Sequence, residues 1–151
     1  MNAEQAVRIA VPPGWERVSD PAPGVALLMG ARRCPASGVL PSMAVAVVDL
    51  ASDLSPAAYL ERLRDELTAG LDGAEVEDED SFELDGAPVD YLRLAHRNDE
   101  RHLVSEVWIW LTDRRAWSVS GTVDRRDYAD WCDVFEGVAT TFDPDRSRPA
   151  S

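Results

Sequence analysis

The chain has 151 residues, 45% of them hydrophobic and 28% charged, and its 15 basic residues face 28 acidic ones for a formal net charge of −13. Such a length and composition fit one ordinary globular domain and exclude wholesale disorder. So acidic a field repels phosphate backbones, which excludes a nucleic-acid binder.

All fifteen basic residues are arginine and none is lysine, a usage that reads as coding bias and not as function. The first thirty residues hold no apolar run of signal-peptide length, because Arg8 interrupts the best stretch. No segment approaches the roughly 20 apolar residues of a membrane span. The expectation is a cytoplasmic protein. Cys34 and Cys132 lack any CxxC-type spacing and make neither a metal site nor a redox motif.

In chain order, "VRIAV" alternates as a short strand and ends in the forced turn "PPGW". "GVALLMGAR" and "SMAVAVVDL" read as two further strands. The period then changes: Ala57, Leu60, Leu63, Leu67 and Leu71 recur on one helical face, with Ser55 as N-cap, Pro56 at the first helical position and Gly70 or Gly73 near the end. Asp85-Gly86 is a strong two-residue hairpin signal. A second hairpin turns near Asn98-Asp99 or Asp99-Glu100, and a third at Asp113-Arg114. After Val123 the pattern is helical again, with Tyr128, Trp131, Cys132, Phe135, Ala139 and Phe142 on one apolar face and Asp124 as the cap. The order βββαββββα, with four strands joined by tight turns, predicts an antiparallel α+β layered sheet. Residues 1–142 form the domain, and 143–151 a flexible C-terminal tail.

The stretches "VRIAVPPGWERV", "DLSPAAYLERLRDEL", "FELDGAPVDYLRLAH" and "WSVSGTVDRRDYADWCDVFEGVATTF" together resemble the PsbP-like (Mog-type) superfamily, and within it the LpqN-like and DcrB-like bacterial branches. The resemblance spans residues 7–142 and rests on element order and the Pro-Gly-Trp opening. It implies a seven-stranded antiparallel sheet of strand order 3-2-1-4-5-6-7 between helical layers. It also implies binding to other proteins: members serve as photosystem subunits, a nuclear-transport cofactor, lipoproteins and chaperones of secreted effectors.

Turn centres give registers. Asp113-Arg114 sets Trp110 opposite Trp117 and Trp108 opposite Val119. Asp85-Gly86 sets Phe82 by Val89, Asp80 by Tyr91 and Asp78 by Arg93. One face then collects Phe82, Val89, Tyr91, Arg93, Trp108, Trp110, Trp117 and Val119; a slip of one residue would exchange the faces. The other face offers Val107, Ile109 and Leu111 with the small Ala116, Ser118 and Ser120. Large-against-small packing places the bulky C-terminal helix there, leaving the tryptophans partly open. Two readings of Trp108, Trp110 and Trp117 follow, core or partner surface. On the open reading, Trp131 is the residue whose truncation costs most.

No catalytic constellation emerges. His96 and His102 fall on opposite faces, and "EVEDEDSFELD" lacks the spacing and central glycine of a calcium loop, so it reads as a solvated strand edge. No cofactor or metal is expected, nor an enzyme. The leading functional expectation is a non-enzymatic interaction module, an adaptor or chaperone for a secretion-linked client, binding a partner segment through Tyr91, Arg93, Trp108, Trp110 and Trp117. The alternative is a carrier of a small apolar ligand between the tryptophan face and a helix, with Arg93 orienting a polar head and Asp78 as its resting partner.

Overall fold

The computed structural model describes residues 7–18 and 23–148. Its elements in chain order are β1 (Trp15–Arg17), β2 (Val25–Ala31), β3 (Ser42–Asp49), α1 (Pro56–Gly70), β4 (Asp72–Leu84), β5 (Ala87–Asn98), β6 (Arg101–Thr112), β7 (Arg115–Asp124) and α2 (Tyr128–Ala139), the last entered through a 3-10 turn at Arg125–Asp127. The predicted order of elements stands, as does the α+β class. The first strand lies elsewhere. Residues 7–11 make only a single bridge, Arg8 to Asp143. Their amides are satisfied by the C-terminal segment instead: Arg8 N–H donates to Ser147 Oγ at 2.9 Å and Ala10 N–H to Thr141 Oγ1 at 2.9 Å. The pairing is mutual, since Asp143 N–H donates to the Arg8 carbonyl at 2.9 Å. The start of the expected flexible tail is thus fastened to the sheet's first segment; residues 149–151 lie outside the described residues.

The strands form one antiparallel sheet in the order β1-β2-β3-β7-β6-β5-β4. This corrects the order 3-2-1-4-5-6-7. The three-residue β1 is too short for the middle of a sheet and takes an edge. After β3 the chain crosses through α1 to the opposite edge, and three hairpins walk it back until β7 closes on β3 from Ser42–Thr122 to Asp49–Arg115. The centre falls to β7, and beside it β6 is buried without a break from Leu103 to Trp110. The acid-rich β4 is the other edge, where its charges discourage pairing with another chain.

Local chemistry explains the predicted registers. Asp85, Gly86, Asp113 and Arg114 all have positive φ, as a two-residue hairpin turn of this hand requires. Trp110 faces Trp117, Trp108 faces Val119, Phe82 faces Val89 and Asp78 faces Arg93. On α1, Ser55 Oγ accepts from Ala58 N–H at 3.1 Å ahead of Pro56. Leu60, Leu63 and Leu67 then rest on Leu92, Leu94, Val107 and Ile109.

The helix faces are exchanged relative to expectation. Helix α2 covers the tryptophan face, and α1 the other. The reason is Gly121, in the middle of β7 on the tryptophan side. A Cβ there would lie 2.7 Å from the Phe135 ring, so only glycine admits that ring to the sheet. Large does pack against small, but the small residue is Gly121 and not Ala116, Ser118 or Ser120. Phe142 completes the layer, with ring centroids 4.8 Å from Trp110 and 5.6 Å from Trp117. Trp15 packs 5.7 Å from Trp131 and 6.4 Å from Phe135.

Trp108, Trp110 and Trp117 are 3%, 2% and 1% exposed, whereas Trp131 is only partly buried. The core reading of the three strand tryptophans is the correct one. Truncation of Trp110 or Trp117 to Ala is therefore predicted to cost about 3–5 kcal/mol, and of Trp131 about 1–2 kcal/mol. Denaturant melts of the three variants measure this. Equal losses at Trp131 and Trp110 would contradict the packing described.

Candidate functional site

The inward row of β6 runs Val104, Glu106, Trp108, Trp110, an acid in an otherwise apolar stripe under α2. Glu106 is 5% exposed. Its sheet neighbours are Gly121 on β7, which has no side chain to offer, and Arg93 on β5. The Tyr91 hydroxyl, one diagonal step away, donates to Oε2. Oε1 has no hydrogen-bond partner in the protein. Burial of a carboxylate is costly, and it pushes the Glu106 carboxyl above its ordinary value, although the Tyr91 and Tyr128 hydroxyls and the charge of Arg93 pull the other way. Burial, then the bond to Glu106, raises the Tyr91 hydroxyl in turn.

Arg93 faces Glu106 across the ladder and acts on it through its charge, but its hydrogen bond and ion pair go elsewhere. A bulge in β4 between Val76 and Asp78 leaves Glu77 unmatched in the ladder. The Glu77 carboxylate lies 3.7 Å from Arg93 Nε and 2.9 Å from Arg125 Nη2. The bond from Arg125 above all, helped by the charge of Arg93, holds Glu77 below the usual carboxylate range. Arg93 also donates to the Tyr128 hydroxyl at 3.4 Å, with its guanidinium 5.6 Å from the centre of that ring. Glu77, not Asp78, is thus the resting partner of Arg93.

Above Glu106 a recess of about 290 Å³ opens between β4–β6 and α2. Phe82 and Trp108 give it an apolar wall, and Tyr91 and Tyr128 give it hydroxyls. Its rim carries four more carboxylates, Asp78 and Asp80 from β4 and Asp133 and Glu136 from α2. Among the described residues, no group of three His, Cys, Asp or Glu side chains is placed to hold a metal ion. A recess so lined sets negative charge and hydroxyl groups beside an apolar wall.

Of the predicted site residues, the structure brings Tyr91 and Trp108 to this recess, and Arg93 lies beside it, bonded to Tyr128. Trp110 and Trp117 lie deeper, under Phe142, and take no part. Glu106, Glu77 and Tyr128 were not among the predicted site residues. The available signal for Glu106 was an acid at the same parity as Trp108 and Trp110. His96 is buried on the opposite side with Nε2 2.8 Å from Ser105 Oγ; burial holds its pKa down, and it behaves as a satisfied structural histidine.

No family model and no curated protein matches the chain. Solved structures do resemble it. LpqN of Mycobacterium tuberculosis, described as involved in cell envelope biogenesis, superposes with a TM-score of 0.70 at 14% identity, covering 91% of this chain and 83% of its own. The cyanobacterial PsbP of Synechocystis sp. PCC 6803 gives 0.62 at 16% identity, covering 94% and 88%. The Ran-binding protein Mog1p of Saccharomyces cerevisiae gives 0.62 at 12% identity, covering 91% and 89%. At such identities the likeness is one of fold.

The raised Glu106 pKa has a signed consequence for stability. Folding favours the protonated carboxyl, so that contribution is complete below the unfolded value of about 4.3 and is lost as pH rises through the higher folded value. Glu106→Gln keeps the shape and cannot ionise. The unfolding free energy of the variant minus that of wild type is predicted to grow as pH rises above about 4.3, by about 1.4 kcal/mol for each tenfold change in acidity, and to level off once the folded carboxyl has ionised. Paired denaturant melts across that range decide it, and a difference that stays flat or shrinks contradicts the geometry.

Proposed function

We propose that this chain, whose fold is that of the PsbP/Mog1-type superfamily, is a non-enzymatic binding module that docks a basic segment of a partner protein at the recess between β4–β6 and α2. The observation that carries the reading is the buried, half-satisfied Glu106 carboxylate at the base of an acidic rim. Charge complementarity of this kind steers encounter and selects partners, and a net charge of −13 extends it over the whole surface. Adaptor or chaperone work suits such a surface, since a strongly acidic module stays soluble while holding a basic client. A secretion-linked client remains part of the proposal through the fold resemblance. Two free thiols, Cys34 and Cys132, support a reducing compartment such as the cytoplasm. The docking surface differs from the aromatic sheet face first expected, because Phe135, Val138 and Phe142 fill that face.

A second reading has one observation behind it. The space between the tryptophans and α2 is occupied, so a carrier of an apolar ligand would have to use the groove of about 380 Å³ beside α1, floored by Leu60, Leu63, Leu92 and Ile109. Native mass spectrometry of freshly purified protein distinguishes it, through a co-purifying small mass.

Zero-length carbodiimide cross-linking in native lysate tests the docking proposal. The chain has no lysine, so side-chain cross-links must come from amines of other proteins. Cross-links are expected to concentrate on Asp78, Asp80, Asp133 and Glu136. An even scatter over the 28 acidic residues would remove the recess as the docking site.

A further inference from the structure

We infer that the recess seats a single lysine side chain of a partner protein, its ammonium drawn to the Glu106 carboxylate and its stem along Phe82. The inference rests on the proposed docking role and adds what the recess recognises. Glu106 is 5% exposed and lines the recess, and its Oε1 lacks any donor. An acid buried in this way gains most from an incoming cation, because leaving the charge unmatched is the expensive state. The chain's own cation across the ladder, Arg93, acts on Glu106 only through its charge, since its ion pair is with Glu77 and its hydrogen bond with Tyr128.

The number of free oxygens selects the type of cation. A guanidinium grips a carboxylate through two parallel bonds and needs both oxygens. Tyr91 already takes up one lone pair of Oε2, so a second donor there must share that oxygen with it. An ammonium is a compact donor for which one acceptor, with hydroxyl oxygens nearby, is enough. A calcium ion wants six to eight oxygen ligands, whereas no three acids among the described residues converge on a metal position. The volume of about 290 Å³ is at the lower limit for small-molecule sites and suits one side chain. Phe82, partly buried in the recess wall, offers the apolar surface that a four-carbon stem covers.

The source of the lysine follows from composition. This chain contains none, so a second copy has no lysine to insert and the occupant belongs to a different protein.

The test uses ¹⁵N-labelled full-length protein with the tryptophan indole N–H signals as reporters. The probes, each added alone, are n-butylammonium, n-propylguanidinium and calcium chloride. Butylammonium is expected to shift the Trp108 signal saturably while Trp117, outside the recess, stays still. Propylguanidinium is expected to bind about fivefold more weakly, and Glu106→Gln to weaken butylammonium about tenfold, as loss of a charged hydrogen-bond acceptor does. Tyr91→Phe frees Oε2 and is expected to narrow the gap between the two organic cations; it decides the matter should Glu106→Gln fold poorly. The inference is overturned by unchanged butylammonium binding in Glu106→Gln, by a guanidinium preference in wild type, by calcium saturating the same signal, or by an unmoved Trp108. If the amine fails to bind while lysate cross-links still map to the rim, the docking role stands and only the lysine assignment falls. An ammonium that seats while cross-links scatter evenly removes the docking role instead.

Discussion

The arrangement of the molecule depends on one close approach, the Phe135 ring lying directly on Gly121. Any larger residue at that point in β7 would lift α2 away from the sheet. With the ring seated, α2 must lie over the row that holds Trp108, Trp110 and Trp117, and Phe142 closes the layer above two of them. The opposite face is left to α1, none of whose residues is fully buried. The two helices thus differ in role: α2 seals the main core, while α1 caps a smaller apolar cluster.

The same contact creates the functional feature. Glu106 lies directly across from Gly121, so the residue that admits Phe135 also denies Glu106 a cross-strand donor. The neighbour on the other side, Arg93, acts on it through its charge alone. The bulge that leaves Glu77 unmatched on β4 brings that acid to Arg93, and Arg125 bonds it from the 3-10 turn ahead of α2. A buried carboxylate is left with one satisfied oxygen and one free. Natural interiors rarely tolerate such a group without a use for it. Here it lies at a small recess with carboxylates around its mouth.

Much of this was legible in the sequence where the interactions are local. Asp85-Gly86 and Asp113-Arg114 fixed two registers to the residue, because a two-residue turn leaves no freedom in pairing and the period-two pattern then sorts every side chain. Ser55-Pro56 marked the start of α1 for similar local reasons. The strand order was not legible, since the closure of β7 on β3 joins segments far apart in the chain and leaves no turn signature. The exchange of helix faces came from weighing Ala116, Ser118 and Ser120 as the small surface. Gly121, one position farther along on the other parity, outweighed them because a glycine gives closer approach than three small side chains. Glu106 stood in plain view between Val104 and Trp108, and only its parity marked it as inward. Glu77 could not have been found, since a bulge shifts register without altering the alternation that pattern reading relies on.

The central claim is that Glu106 is buried without a cation bonded to it. A pH titration followed through the Glu106 side-chain carboxyl ¹³C signal measures this at the atom concerned. The account predicts a midpoint clearly above the ordinary glutamate value of about 4.3. A midpoint at or below that value would mean that Arg93 or solvent already neutralises the carboxylate, and would contradict the account.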